Sequence, residues 1–346
     1  MKICYFGIYT PDFGRNNVYL SGLKANGIEV VECRDTSPHI LKYWRLWQKH
    51  EAIKNQYDVM IVGYPGHLVV PIAKLISRKK VVFDALCTLY EGEMISRGKY
   101  RFNFIMRGWL LLVDWLAVRC ADQILVETNA QKDFFVKRFS LNSNKVARIF
   151  TGVEDDFLYD PLIKKRSKFT AVFRGQLLPE AGVRHIIMAA KILENEDIDF
   201  LLIGNGRLER DIQSIINKLH PKNLTRISSY LNREELIKKM QECHVSLGQF
   251  EQHERLKRTI PHKAFESFAL RLPYITGDTP AIREIVGDGE NAFLVPLADP
   301  EALALKILFL SKHKEVLEQV ADKAFQYSKN NLSPKRLAEE IVAAII

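Results

Sequence analysis

The sequence is poor in the features that mark secreted, metal-bound or membrane-spanning chains. Its five cysteines, Cys4, Cys33, Cys87, Cys120 and Cys243, stand singly, with no Cys-x-x-Cys pair and an odd total. They suggest neither a disulfide framework nor a zinc site, and they suit a reducing cytoplasm. Long apolar runs are missing too: the longest, "WLLLVDWLAV" at 109–118, is broken by Asp114 and falls well short of the roughly 18 residues that a span needs. The opening "MKICYFGIYTPDFG" has too short an apolar part for a signal peptide and reads as a buried first strand. No charged tail stands out from the net charge of +9. Lys and Arg outnumber Asp and Glu by 22 to 17 in residues 1–160 and by 28 to 24 beyond, so no nucleic-acid partner is expected. The one tight acidic cluster, Glu154-Asp155-Asp156, reads as a solvated turn and not as a metal site. Repeats and low-complexity segments are absent as well.

What is present is an ordinary globular composition, 47% hydrophobic and 26% charged, in a chain of 346 residues that exceeds what one core organises. Short β-rich runs ("KICYFGIY", "YDVMIVGYP", "KKVVFDAL", "KFTAVFRG", "DFLLIGNG") alternate with amphipathic helical stretches from end to end. That alternation predicts α/β architecture: two doubly wound, parallel-sheet, Rossmann-like domains whose strand ends face a cleft. The periodicity lapses in "TGVEDDFLYDPLIKKRSK" (151–168), which sets domains of 1–165 and 166–330. Residues 331–346 form a terminal helix, capped by Ser333 and started by Pro334, that can pack back on the first domain.

Ligands of open α/β sheets bind beyond the carboxyl ends of the strands, so the loops that follow strands hold the candidates. "FLLIGNGRLERDI" (200–212) supplies Gly204 and Gly206 but has Glu209 where a dinucleotide fingerprint needs a third glycine. A tight turn lining the cleft fits better than a dehydrogenase. In "FRGQLLPEAGVRHIIMAAKIL" (173–193), Gly175 ends a strand and Gly182 precedes a helix whose positive end can attract a phosphate. "TIPHKAFESFALRLPYIT" (259–276) places Lys263 and Glu266 on one side of a helix begun by Pro261, with Arg255, Lys257 and Arg258 just upstream. Lys263 and Glu266 could form a surface salt bridge; alternatively the cations suit a diphosphate cradle, whereas a carboxylate can only accept and so suits ribose hydroxyls.

The second half resembles the carboxyl-terminal domain of the family-four glycosyltransferases, retaining enzymes of GT-B fold. Its "FRGQLLPEAGV", "FLLIGNGRLERDI" and "IPHKAFESFALRLPYITGDTPAIREIVGDGENAFLVPLADPEAL" carry the likeness, while "GRNNVYLSGLKANGIEVVEC" and "YDVMIVGYPGHLVVPIAKLI" extend it more loosely to the acceptor domain. The resemblance implies that residues 166–330 bind a nucleotide-sugar donor and residues 1–165 a glycan or lipid-linked acceptor. It implies no cofactor, a metal-independent reaction, and a role in surface polysaccharide or glycolipid synthesis. Glu266 takes the position of the second glutamate of the Glu-x7-Glu motif and implies a ribose contact. The first glutamate is replaced by Arg258, and the usual basic residues of the glycine loop by Gln176 and Ala181. Diphosphate binding then falls to Lys257, Arg258 and Lys263, with help from Arg174 or Arg184, and Glu251 or Glu254 stand in for the missing acid. The catalytic set is Lys263, Arg258, Asp84 and His67; the donor-binding set is Glu266, Lys257, Gly175, Gly204, Gly206 and Gly14.

Gly14, His67 and Asp84 enter because they follow the first, third and fourth strands of the first domain. Two stretches, "HILKYWRLWQKHEAIK" (39–54) and "GKYRFNFIMRGWLLL" (98–112), mix aromatic and basic residues, a pattern that fits either a core-facing stripe or an anionic membrane interface. With the resemblance they imply a cytoplasmic protein in peripheral contact with the inner face of the membrane. Two other functions share the same donor site: a nucleotide-sugar epimerase, and a catalytically silent member that acts as a binding partner.

Overall fold

The computed structural model describes residues 1–10, 13–96, 98 and 103–346. The chain forms two compact units, Met1–Asp155 with Asn331–Ile346, and Asp156–Asn330. The division falls ahead of residue 165, inside the aperiodic stretch. It splits the acidic cluster, which is not a solvated turn throughout: Glu154 is buried, and Asp156 pairs with Arg233 at 2.5 Å.

The first unit holds strands β1 (Lys2–Gly7), β2 (Glu29–Arg34), β3 (Val59–Val62), β4 (Lys80–Leu86), β5 (Gln123–Val126) and β6 (Val146–Arg148) in one sheet of order β2-β1-β3-β4-β5-β6. Every pairing is parallel, so β3, β4 and β5 are covered on both faces and read as continuous apolar runs. Its helices are α1 (Gly14–Ala25), α2 (Leu41–Glu51), α3 (Val70–Ile76), α4 (Phe104–Cys120) and α5 (Asn129–Phe139). The terminal helix, α12 (Pro334–Ile345), belongs to this unit. It starts at a Ser333 cap and is held by Asn26 Nδ2 donating to the Lys335 carbonyl at 2.8 Å, Lys80 Nζ to the Ile345 carbonyl at 2.8 Å, and an Arg148–Glu340 pair at 3.2 Å.

The second unit holds β7 (Phe169–Arg174), β8 (Ile198–Ile203), β9 (Leu224–Ile227), β10 (Val245–Leu247), β11 (Tyr274–Gly277) and β12 (Phe293–Val295), ordered β12-β11-β10-β7-β8-β9 and again all parallel. Helices α6 (Val183–Ile192), α7 (Glu209–Leu219), α8 (Arg233–Gln241), α9 (His262–Ala269), α10 (Pro300–Lys312) and α11 (Lys314–Tyr327) surround it. Phe169, Phe173, Phe200, Leu202 and Leu247 of the strands pack with Ile186, Ala190, Leu303 and Ile307 of the helices in one core. Each large apolar side chain so buried contributes about 1.5–3 kcal/mol against the entropy of ordering it. Strand order reverses between β7 and β10, so the loops after these two strands diverge and leave a crevice at the carboxyl edge.

Candidate functional site

The carboxyl edge of the second sheet gathers most of the candidates. β7 ends at Arg174, followed by Gly175; β8 ends at Ile203, followed by Gly204. Gly204 and Gly206 have φ of +134° and +156°, and a Cβ on Gly204 would lie 2.0 Å from the Gly175 carbonyl oxygen, one on Gly206 2.6 Å from the Leu177 nitrogen. Leu177 donates to the Asn205 carbonyl at 2.9 Å and Leu208 to the Leu177 carbonyl at 3.0 Å. The glycine pair thus lets two loops lie backbone to backbone, which accounts for both glycines without a dinucleotide.

Helix α9 runs up to this edge from the other side of the crevice. It begins at His262, with Pro261 as its N-cap, one residue later than a helix begun by Pro261. Phe265, Phe268 and Ala269 are buried, and the Ser267 hydroxyl donates to the Lys263 carbonyl at 2.7 Å. Lys263 and Glu266 are themselves buried, at 7% and 2% exposure, and they do not pair with each other. Glu266 instead binds the Arg174 guanidinium through Oε1, which also meets His262 Nδ1 at 3.0 Å. Its second oxygen, Oε2, is buried without a hydrogen-bond partner among the described residues. Lys263 extends its ammonium over the Phe173 ring, 3.8 Å from the centroid, and against bare backbone: a Cβ on Gly175 would lie 3.2 Å from Nζ. Burial, and after it the charge of Arg174, holds this lysine well below the usual lysine range.

Beside them opens a pocket of about 280 Å³, lined by Arg174, Gly175, Gly204, Asn205 and the segment Ser228–Leu231 after β9. Sequence reasoning missed that segment, which carries no motif, and missed His262; Arg174 was expected only as an aid to the diphosphate, not as the partner of Glu266.

The remaining cations are less concentrated than their sequence proximity suggests. Arg255 pairs with buried Glu180 at 3.3 Å, and Arg184 with Glu251 at 2.9 Å. Lys257 points to Glu254 at 2.6 Å with both side chains more than half exposed, a surface pair rather than part of the crevice. The acids expected to replace the missing glutamate, Glu251 and Glu254, are therefore engaged. Arg258 follows the short helical turn Glu254–Lys257 and is half-buried.

The first-unit candidates lie deeper than expected. Asp84 is fully buried and bound by Arg15, whose Nε lies 2.8 Å from Oδ1 and whose Nη1 donates to the Ile149 carbonyl at 3.0 Å. Burial raises the Asp84 carboxyl against the pull of Arg15. Its carboxylate is part of the core and does not reach solvent. His67, 3% exposed, meets the Cys87 carbonyl at 2.9 Å and Asp114 at 3.7 Å, and burial lowers its pKa to about 4. Gly14 is the first residue of α1, half-buried.

Two parallel, doubly wound units, the second with a basic and acidic cluster at its strand edge, are the architecture of the GT-B fold. Residues 157–327, which lie within the second unit, match the family described as "Glycosyl transferases group 1", and with the relatives that follow this identifies a glycosyltransferase. The chain is 22% identical to a chitobiosyldiphosphodolichol beta-mannosyltransferase of Kluyveromyces lactis, covering 91% of this chain and 76% of that protein. It is 23% identical to the putative glycosyltransferase EpsD of Bacillus subtilis, over 73% of this chain and 67% of that one. Among solved structures, the Anabaena protein HepE in complex with UDP-glucose superposes with a TM-score of 0.72 at 15% identity, covering 99% of this chain and 98% of that one. Sucrose-phosphate synthase of Thermosynechococcus elongatus superposes with a TM-score of 0.75 at 12% identity, covering 99% and 98%.

Proposed function

We propose that the chain moves a sugar from a nucleoside-diphosphate sugar to a glycan or lipid-linked acceptor in the synthesis of a surface polysaccharide or glycolipid. The observation that carries this reading is Glu266: a buried carboxylate with one oxygen fixed by Arg174 and His262 and the other unpartnered, one helical turn from a buried lysine. A buried acceptor left open awaits a donor, and ribose hydroxyls supply one. Lys263 then meets the diphosphate, joined by Arg258, and the Ser228–Leu231 pocket takes the base. HepE, bound to UDP-glucose, supports a nucleotide-sugar donor, and the relative acting on chitobiosyldiphosphodolichol supports a lipid-linked acceptor. The first unit is the acceptor side.

In the reaction the bond from the anomeric carbon to the diphosphate oxygen breaks and a bond to the acceptor oxygen forms. The acceptor's proton passes to the leaving diphosphate, which removes the need for a strong protein base. Lys263 and Arg258 stabilise the charge that builds on that diphosphate, and stabilising developing charge with fixed, preorganised groups is usually the main source of rate in such catalysis. We propose metal-independent transfer with retention of configuration. Since one relative is named for a β-mannoside, the anomeric outcome is a direct test.

The experiment is incubation with labelled nucleotide sugars and a membrane extract, followed by NMR of the product. Label in an extractable acceptor, with the donor's configuration kept, supports the reading. Inversion would refute retention alone; epimerised donor without transfer, or no donor turned over, would refute the transferase.

A further inference from the structure

The first unit carries an apolar surface that stands exposed among the described residues. Of the eleven residues of α2 only Leu46 and His50 are buried. Ile40, Leu41, Trp44 and Trp47 stand exposed along it, the two indoles edge to face at 4.8 Å. Beside it lies α3, from which Leu75 projects at 85% exposure, and a groove of about 830 Å³ runs between them, lined by Tyr43, Trp44, Trp47, Leu75, Arg78 and Lys79. Next to α3 packs α4.

Helix α4 is apolar on both sides. Leu110, Val113, Ala117 and Val118 face the core, while Ile105, Trp109, Leu112 and Trp115 form an opposite stripe that is about half exposed or more. A helix of this kind is ordinarily enclosed on all sides. Among the described residues no helix is long and apolar enough to cross a membrane, so the outer stripe is not that of a span. Residues 99–102, in the second of the two aromatic and basic stretches, lie outside the described residues.

Two further observations select the occupant. The chain has four tryptophans, and all four, Trp44, Trp47, Trp109 and Trp115, are exposed on these helices. Tryptophan with its apolar body and polar N–H is the side chain most suited to the boundary between lipid and water. The charge is also one-sided: Lys42, Arg45, Arg78, Lys79 and Arg119 frame the surface, while Lys49 pairs with Asp35 and exposed Glu51 with Lys54. A protein partner of mixed charge does not need that bias, whereas an anionic bilayer does.

We propose that the surface of α2, α3 and α4 docks on an anionic lipid bilayer, with the tryptophans at the headgroup boundary and the basic residues on lipid phosphates. This proposal stands apart from the transferase reading, because it involves none of the residues of the candidate site.

Tryptophan fluorescence reads this surface alone, since the chain has no other indole. Vesicles of phosphatidylcholine with an equal share of phosphatidylglycerol should shift the emission to the blue, and brominated phosphatidylglycerol should quench it. Pure phosphatidylcholine should do neither, and 0.5 M salt should weaken binding at least tenfold. Flotation of Trp44→Ser/Trp47→Ser and of Trp109→Ser/Trp115→Ser should show at least tenfold weaker partition with unchanged circular dichroism and melting temperature. If the wild type fails to float with anionic vesicles, or both folded variants float as well as it does, the proposal is overturned. A lipid-free blue shift that rises with protein concentration alongside dimerisation would assign the surface to a second copy and also overturn it.

Discussion

Arg174, the last residue of β7, is bound to Glu266 of α9, and this ion pair fixes which of the two glutamate oxygens is left for a ligand. The pair is buried on the glutamate side and partly open on the arginine side, at 2% and 23% exposure. It ties the end of the strand before the crevice to the helix beyond it, so the carboxylate is held in place by the fold itself.

Glu266→Gln keeps the shape but loses the charge and the ion pair. Affinity for a nucleoside diphosphate should fall by about 1–3 kcal/mol, roughly 5- to 150-fold, from the loss of a charged acceptor and the unpaired group left behind. Titration calorimetry on the folded variant measures this, and unchanged affinity contradicts the ribose role.

Lys263→Met should separate stability from binding. The wild-type lysine has a folded pKa depressed by burial, so between that value and the ordinary lysine range the unfolded chain holds more protons than the folded one. Its contribution therefore rises with pH across that window and is lost as pH falls through it. The methionine variant removes the cost: in the absence of ligand it should gain about 1 kcal/mol, a melting temperature ~2–4 °C higher, with the gain shrinking towards high pH. Diphosphate affinity should fall in the same variant. At a pH inside that window, binding to the wild type should take up a proton, seen as a dependence of the calorimetric heat on buffer ionisation, and this uptake should vanish in Lys263→Met.

Arg258 stands where the resemblance leads one to expect an acid. If it stabilises the leaving diphosphate, Arg258→Ala should lower kcat by about 10²-fold or more while nucleoside affinity changes little. An equal fall in nucleoside affinity would make it a simple binding residue, and steady-state kinetics beside calorimetry tell the two apart.

Asp84→Asn tests the first unit. Removing one partner of a fully buried pair takes the carboxylate away from Arg15 and leaves Glu127 as its nearby charge, so the variant should lose about 3–5 kcal/mol, read by thermal or urea unfolding, with nucleotide affinity retained. A stable variant with abolished turnover would restore Asp84 to the chemistry.

The architecture was legible because parallel sheets covered on both faces leave continuous apolar runs, and runs such as "VMIV" and "FLLI", each short and followed at once by glycine, read as buried strands and not as helices. Lys263 and Glu266 were legible as a pair on one helix, because helical geometry is local. Their partners were not. Arg174 reaches Glu266 across three intervening strands in the sequence, and Arg15 reaches Asp84 from a helix two strands away, distances that no periodicity encodes. Lys257 shows the opposite error: adjacency to Arg258 suggested a shared cradle, but a short helical turn points it at Glu254 instead. The Ser228–Leu231 segment was invisible for a plainer reason: it carries no motif, and only the fold brings it beside Arg174 and Gly204.

The central claim is that the crevice beside β7 binds a nucleoside-diphosphate sugar through Lys263 and Glu266. Titration of the full chain with UDP, UDP-glucose and GDP-mannose in the presence of a chelator tests it most directly. One of these should bind saturably at one site per chain, and the heat should be strongly reduced in both Lys263→Met and Glu266→Gln. Absence of binding by all three, or binding that both folded variants retain in full, would contradict it.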